Sequence, residues 1–209
     1  MLKYKRKSED KVMERNQGVL RGVFKSGWVF DYEREGESFY SAVILVKRNS
    51  GTVDEVPVIA PEALVDLSYS LSGPGITLTG SFRSRNKSVS GKSTLQLYFF
   101  VEGIEEGSTD SQNILEIEGF ICKPPVYRLT PSNREICDLL IAVNRNTRRS
   151  DYLPCIVWGR NARFSRNLKV GEKVSVSGRI QSRKFTRTGD SEINSRTAYE
   201  VSISRIVLA

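Results

Sequence analysis

Val46-Lys47-Arg48-Asn49 followed by Val56-Pro57-Val58-Ile59 returns 97 residues later as Val143-Asn144-Arg145-Asn146 followed by Leu153-Pro154-Cys155-Ile156, with the same internal spacing. The offset holds from Gly22/Gly119 through Ile44/Ile141 to Ile59/Ile156. It grows to 98 at Gly80-Ser81-Phe82-Arg83-Ser84-Arg85 against Gly178-Arg179-Ile180-Gln181-Ser182-Arg183, and to 102 at Ile104/Ile206. Drift of this kind puts insertions in loops while strand cores stay in step, so one fold is written twice.

Working outward, the 209 residues divide into a charged leader (1–15), a first repeat (16–104), a linker (105–112) and a second repeat (113–209). Each repeat is large enough to bury a core of its own. The linker is read from Glu105-Glu106-Gly107-Ser108-Thr109-Asp110-Ser111, which is acidic and free of apolar residues.

From Gly18 onward, runs rich in Val, Ile, Phe and Tyr alternate with turn clusters such as Asn49-Ser50-Gly51 and Ser72-Gly73-Pro74-Gly75. The second repeat predicts five strands, in Ile114–Gly119, Glu135–Val143, Leu153–Val157, Lys173–Arg179 and Thr197–Val207. A helix is expected between the third and fourth, over Asn161–Leu168, with Ala162, Phe164 and Leu168 as its apolar residues and Gly171 closing it. The first repeat echoes this, with Pro61–Leu71 at the helix position. The expectation is an all-β chain of two tandem five-stranded OB-fold barrels, each with a short helix between strands three and four.

Charge separates the copies. Residues 1–110 carry 15 basic and 15 acidic side chains, leaving 17 and 9 for residues 111–209, so the net +8 belongs to the second half. Such an excess attracts polyanions, nucleic acid or an anionic surface, with a soluble basic face as the plain alternative. The absence of histidine removes the usual general base and the commonest metal ligand. Asp138, Asp151 and Asp190 form no acid–base or metal constellation and read as solvated charges, so neither an enzyme nor a cofactor is expected. Gly91-Lys92-Ser93-Thr94 resembles the end of a phosphate-binding loop, but Asn86 stands where the first glycine is needed and a strand follows, so a hairpin is expected. Cys122, Cys137 and Cys155 are odd in number and lie in apolar runs, the pattern of buried reduced thiols in a cytoplasmic protein. No run approaches the roughly 20 apolar residues of a spanning helix, so no membrane is expected.

Side chains alternate along a strand. In Tyr152-Leu153-Pro154-Cys155-Ile156-Val157-Trp158 the residues Tyr152, Pro154, Ile156 and Trp158 are therefore expected outward, and Leu153, Cys155 and Val157 inward. In Gly178 to Phe185 the same rule puts Arg179, Gln181, Arg183 and Phe185 outward, flanked by Lys184. Rings interleaved with cations and amides suit a single strand of nucleic acid, because bases stack on rings and phosphates pair with cations. Arg145, Arg148 and Arg149 on one loop, and Arg187 and Arg196 on a hairpin, are expected to project as basic arms, with Arg160 following the aromatic strand. The competing readings keep Trp158 as a packing residue and Tyr152 as an ordinary amphipathic strand residue.

The second repeat resembles the bacterial single-stranded DNA-binding proteins. The blocks that carry the resemblance are Asn113-Ile114-Leu115-Glu116-Ile117-Glu118-Gly119, Tyr152 … Ile156-Val157-Trp158-Gly159-Arg160, Leu168-Lys169-Val170-Gly171-Glu172-Lys173-Val174 and Gly178 to Phe185 with Arg196-Thr197-Ala198-Tyr199-Glu200-Val201. The resemblance implies that Tyr152, Trp158 and Phe185 stack on bases, that Arg183 and Lys184 approach the backbone, and that the partner is single-stranded DNA bound without catalysis. It also implies assembly into four OB-folds, here by a homodimer. The family's acidic, partner-recruiting tail has no counterpart before Ala209, so recruitment of replication proteins is not expected. Aligned position by position, the first repeat puts Glu55, Pro61 and Lys87 where the second has Tyr152, Trp158 and Phe185. It is accordingly expected to serve structure and assembly. RNA binding, and a primosome-type accessory or protein-interaction module, are the other functions open to such a chain.

Overall fold

The computed structural model describes residues 15–67, 75–89, 92–107, 110–145, 149–189 and 192–209, with side chains at 88, 89, 92, 185–189 and 192–196 excepted. Residues 1–14 of the leader and Arg148 lie outside the described residues, as do the side chains of Phe185, Arg187 and Arg196.

In the first half, β1 (Asn16–Phe24) pairs with both β3 (Glu37–Lys47) and β5 (Ile76–Val89), while β4 (Val53–Pro61) and β6 (Lys92–Glu106) run parallel between them. The strands close in the order β1-β3-β4-β6-β5, and β2 (Val29–Arg34) adds an edge to β3. The second half repeats the circuit with β7 (Gln112–Ile121), β9 (Glu135–Asn144), β10 (Ser150–Trp158), β11 (Lys173–Gly189) and β12 (Glu192–Leu208), again with its third and fifth strands parallel. The edge strand here is β8 (Val126–Leu129). These are the two five-stranded barrels expected from the alternation of apolar residues.

The two edge strands, β2 and β8, had no expectation in the sequence. β8 has only four residues and is largely solvated, so no apolar alternation marks it. The helix α1 (Gly159–Ser165) begins two residues earlier than expected, directly on the end of β10. Ala162 and Leu168 are buried, whereas Phe164 faces solvent. At the corresponding position of the first half there is a single 3-10 turn, Glu62–Leu64, and residues 68–71 of the expected helix lie outside the described residues. The hairpin reading of Gly91-Lys92-Ser93-Thr94 fits the pairing of Val89 with Lys92.

Duplicated details confirm that strand chemistry is conserved between halves. The Asn16 amide donates to Phe82 O at 2.7 Å and accepts from Phe82 N–H at 3.0 Å, while the Asn113 amide does the same with Ile180 at 2.7 and 2.9 Å. Each amide replaces a ladder partner just where β1–β5 or β7–β11 pairing gives out. Both β6 and β12 carry a bulge, with Glu102 and Ser204 as the extra residues opposite the steps into Gly80 and Gly178. A Cβ at either glycine would collide with a carbonyl oxygen of the opposing strand, Phe100 O or Ser202 O, so the close approach admits only glycine.

One continuous core runs through both halves, including Leu20, Ile44, Phe82 and Phe99 with Ile117, Ile141, Leu153 and Val176. The halves join through β1 and β7, which pair antiparallel with Gly18 opposite Leu115. Leu115 is the counterpart of Gly18 at the offset of 97, so a pseudo-two-fold axis passes through that pair.

The same pseudo-symmetry orders the contacts on either side of the axis. Ser84 N–H donates to Asp151 Oδ1 at 2.6 Å, and Tyr152 N–H donates to Ser84 Oγ at 2.8 Å. In the reciprocal set, Ser182 N–H donates to Asp54 Oδ1 at 2.8 Å, and Glu55 N–H donates to Ser182 Oγ at 3.1 Å. Arg48 holds Asp54 and Arg145 holds Asp151 through bidentate pairs. Charge-assisted bonds in fork geometry fix position as well as adding energy. Asp151 is thus corrected from a solvated charge to a buried one, at 1% exposure. Asp138 does lie at the surface, paired with Arg128, and Asp190 is outside the described residues.

Candidate nucleic-acid interface

The third strand of the second barrel, β10, separates its residues much as alternation requires. Leu153, Cys155 and Val157 are buried, while Tyr152 and Trp158 are 46% and 40% exposed. Ile156 departs from the expectation: it is buried beside the parallel strand β12, opposite Ser202. The exposed stripe of β10 is therefore interrupted, with one ring near each end.

Trp158 lines a cleft of about 510 Å³ together with Arg179, Gln181 and Arg183 from β11, Arg134 from the β8–β9 turn, and Arg48 from the first half. Three sequence-predicted residues of β11 thus gather under the predicted tryptophan. Among the described residues, Arg134, Arg179 and Arg183 have no ion-pair partner, and Arg48 is the member neutralised, by Asp54. Arg179 is the most constrained. Its Nε is buried with no hydrogen-bond partner, and burial followed by the nearby Arg48 pulls its guanidinium below the usual range. A buried N–H donor left without an acceptor is costly unless a ligand supplies one.

The other expected residues disperse. Tyr152 stands at the opposite end of β10, against Ser84. Lys184 is bonded to Glu55 of the first half at 3.1 Å. Arg145, expected as a projecting arm, is folded inward on Asp151 and donates to Ser84 O at 3.1 Å, so its charge is committed between the halves. The hydrogen bond to Asp151 raises its pKa against the opposing effect of burial. Arg149 lines a separate cleft with residues of the first half. Arg160 is exposed at the start of α1. Phe185, Arg187 and Arg196 are placed by backbone pairing on β11 and β12, with Phe185 opposite Arg196.

Arg134 and Arg48 escaped the sequence reading, Arg134 because its turn carries no aromatic neighbour. For Arg48 a signal was present: Arg48 and Asp54 recur at the same spacing as Arg145 and Asp151. Among the described residues, no group of three or more His, Cys, Asp or Glu side chains could hold a metal ion, and no helix is long and apolar enough to cross a membrane.

Two fused five-stranded barrels with parallel third and fifth strands define a tandem OB-fold protein. Residues 112–209 match the family model described as "Single-strand binding protein family". Among curated relatives, single-stranded DNA-binding protein 3 of Streptococcus agalactiae is 34% identical over 80 residues, covering 35% of this chain and 58% of the relative. The single-stranded DNA-binding protein of Oceanobacillus iheyensis is 35% identical over 80 residues, covering 35% of this chain and 50% of its own length. The chain thus spans between half and three fifths of the length of these relatives. Over the whole chain the fold is similar to the single-stranded DNA-binding protein of Thermus aquaticus, with a TM-score of 0.71 at 21% identity, covering 94% of this chain and 93% of that one.

Proposed function

We propose that the chain binds single-stranded DNA with little regard for sequence, through the second-half cleft under Trp158. One observation carries this reading: a surface ring shares a cleft with three arginines that have no ion-pair partner among the described residues, one of them half-buried with a buried, unsatisfied Nε–H. A base stacks on Trp158, and the phosphates beside it supply the acceptors that Arg179, Arg183 and Arg134 lack. Every base has a π-face, so stacking tolerates any sequence. The names of the curated relatives support the same polymer. Tyr152 and Phe185 extend the stacking surface, and Arg149, Arg160, Arg187 and Arg196 add phosphate contacts along its edges. Binding is the whole of the activity, with no catalytic step. Two chains pair as a homodimer, bringing four barrels together, and a single-chain mass by light scattering at working concentration would dispose of that assembly.

The test is a titration. Trp28 packs edge-on against Phe24 with ring centroids 5.1 Å apart, so Trp28→Phe keeps an aromatic there and leaves Trp158 as the sole tryptophan. Its fluorescence is expected to fall as oligo-dT is added. The logarithm of the affinity is expected to decline with log salt by about 0.7 per phosphate neutralised. A folded protein with no binding at low salt would overturn the reading.

A further inference from the structure

The strand order of the sheet ends on β2 at one side and β8 at the other, and among the described residues nothing pairs with the far side of either. The two are the same element in the two halves. Val29 lies opposite Ser41 and Phe30 opposite Tyr40; at the offset of 97, Val126 lies opposite Asp138 and Tyr127 opposite Cys137. An open strand edge offers unpaired N–H and C=O groups to another strand. On β8, Thr130 N–H donates to Arg134 O at 2.9 Å, so by antiparallel alternation Tyr127 and Leu129 turn their backbone groups outward. On β2 the turn residues Glu35 and Gly36 both have positive φ, 55° and 81°, which marks a two-residue hairpin turn. Its flanking pair, Arg34 and Glu37, is then the bonded one, and Glu33 turns its backbone groups outward.

Charge distinguishes these equivalent edges. β2 and its turn, residues 29–36, hold three acids and one base, whereas β8 and its turn, residues 126–134, hold two bases and no acid. The sign is exchanged at one equivalent position, Asp31 against Arg128. Those two are committed within the chain, Asp31 to Arg85 and Lys87, and Arg128 to Asp138. The uncommitted charges keep the same polarity: Glu33 and Glu37 at the β2 edge, and Lys123 and Arg134 at the β8 edge, are exposed and have no ion-pair partner among the described residues. Each edge also bares apolar side chains, Val29 and Phe30 at 63% and 56% exposure, Val126 and Leu129 at 57% and 55%.

We infer that the β2 edge of one copy docks on the β8 edge of a second copy, acids against bases and apolar rim against apolar rim. A contact between unlike patches does not close on itself, so it repeats from copy to copy and is separate from the closed homodimer. Like edges do not serve, because β2 against β2 sets acids together and β8 against β8 sets bases together. The strands have six and four residues. At about 3.3 Å per residue the shorter edge is roughly 13 Å long, too short for the roughly 1,000 Å² of a stable interface, so the contact does not link free copies. Copies held side by side on one strand of DNA instead meet at millimolar effective concentration, where a weak contact is populated. The occupant is therefore a neighbouring copy on shared DNA, which rests on the single-strand reading above.

Two charge-reversed chains test the docking. One carries Glu33→Lys with Glu37→Lys, the other Lys123→Glu with Arg128→Glu; none of these residues lines the cleft under Trp158. Affinity per copy is measured on a long oligo-dT that holds several assemblies and on a short one that holds one, and the ratio of the two cancels any change common to both lengths. Wild type is expected to favour the long strand. Each reversed chain alone is expected to lose about fivefold of that ratio, the worth of two exposed ion pairs. An equimolar mixture of the two is expected to recover it, because each chain then meets an edge of opposite sign on the other. No preference for the long strand in wild type, or the same preference in a reversed chain, would overturn the inference and leave the single-strand reading standing. No binding to either length would overturn both. The unaltered chain supplies a second measure. A zero-length carbodiimide joins a carboxylate to an amine in contact, so a link from a peptide holding Glu33 or Glu37 to one holding Lys123 is expected on the long strand and not on the short one. β2 and β8 lie at opposite ends of one sheet, so such a link joins two copies. Its absence on a saturated long strand would again remove the docked edges.

Discussion

Asp151 accepts a hydrogen bond from the backbone N–H of Ser84 at 2.6 Å, across the boundary between the two barrels. Its counterpart Asp54 accepts one from Ser182 at 2.8 Å in the other direction. Each half thus offers a buried carboxylate, held by an arginine of its own, to a strand of the other. The arrangement fixes the clefts relative to one another, because Ser84, Ser182, Arg48 and Arg145 all line one cleft or the other.

Removing one partner of a buried ion pair leaves the other charge uncompensated, which costs about 3–5 kcal/mol. Asp151→Ala strands Arg145, which is only 22% exposed, and deprives Ser84 N–H of its acceptor. The expected outcome in urea denaturation is a loss in that range. Ser84→Ala, which removes only the hydroxyl, is expected to cost about 1 kcal/mol. Similar stability of Asp151→Ala and wild type would show that the carboxylate does not hold the halves together.

At the second-half cleft the rings and the cations make different predictions. Trp158→Ala is expected to weaken oligo-dT binding by about 1–3 kcal/mol with the salt slope unchanged. Arg183→Gln is expected to reduce the steepness of that slope by about 0.7 while affecting all base compositions alike. Isothermal titrations at four salt concentrations would separate the two. A Trp158→Ala variant whose slope falls, with no loss at low salt, would reverse the assignment.

The barrels were legible in the sequence because strand alternation and a fixed repeat offset are local properties. The cleft under Trp158 was half legible: Arg179, Gln181 and Arg183 followed from alternation along β11, whereas Arg48 and Arg134 arrive from elements distant in sequence. Arg145 and Asp151 were misread, since nothing local distinguishes a solvated loop pair from one on which another barrel closes.

Glu55 links the halves at the surface, accepting from Lys25 at 2.6 Å and from Lys184 at 3.1 Å. These hydrogen bonds, Lys25 first and Lys184 second, hold its carboxyl below the ordinary value of 4.5. A carboxylate depressed in the folded state contributes stability that is complete above its unfolded pKa and is lost as pH falls through the folded one. The group is partly solvated, so the contribution is under about 1 kcal/mol. Wild type is expected to exceed Glu55→Gln in stability at pH 6, with the gap closing as pH falls below about 4. A gap unchanged from pH 6 to pH 3 in urea unfolding would exclude an electrostatic origin.

All three cysteines are free, but they are not equally available. Burial pushes the Cys137 thiol up to about 11, and burial, reinforced by Glu200, pushes Cys155 higher still. Cys122 is only half-buried; burial raises its pKa too, and its thiol donates to Leu140 O at 3.2 Å. The thiolate is the reactive form, so near neutral pH Cys122 is expected to react slowly with a disulfide reagent while Cys137 and Cys155 wait for the barrel to open. Their labelling then reports the opening equilibrium of the second-half core. In denaturant all three are expected to react together. If Cys155 in the folded protein were labelled as fast as Cys122, β10 would have to open locally, and the strand that carries Tyr152 and Trp158 would be too loose to hold their rings in place.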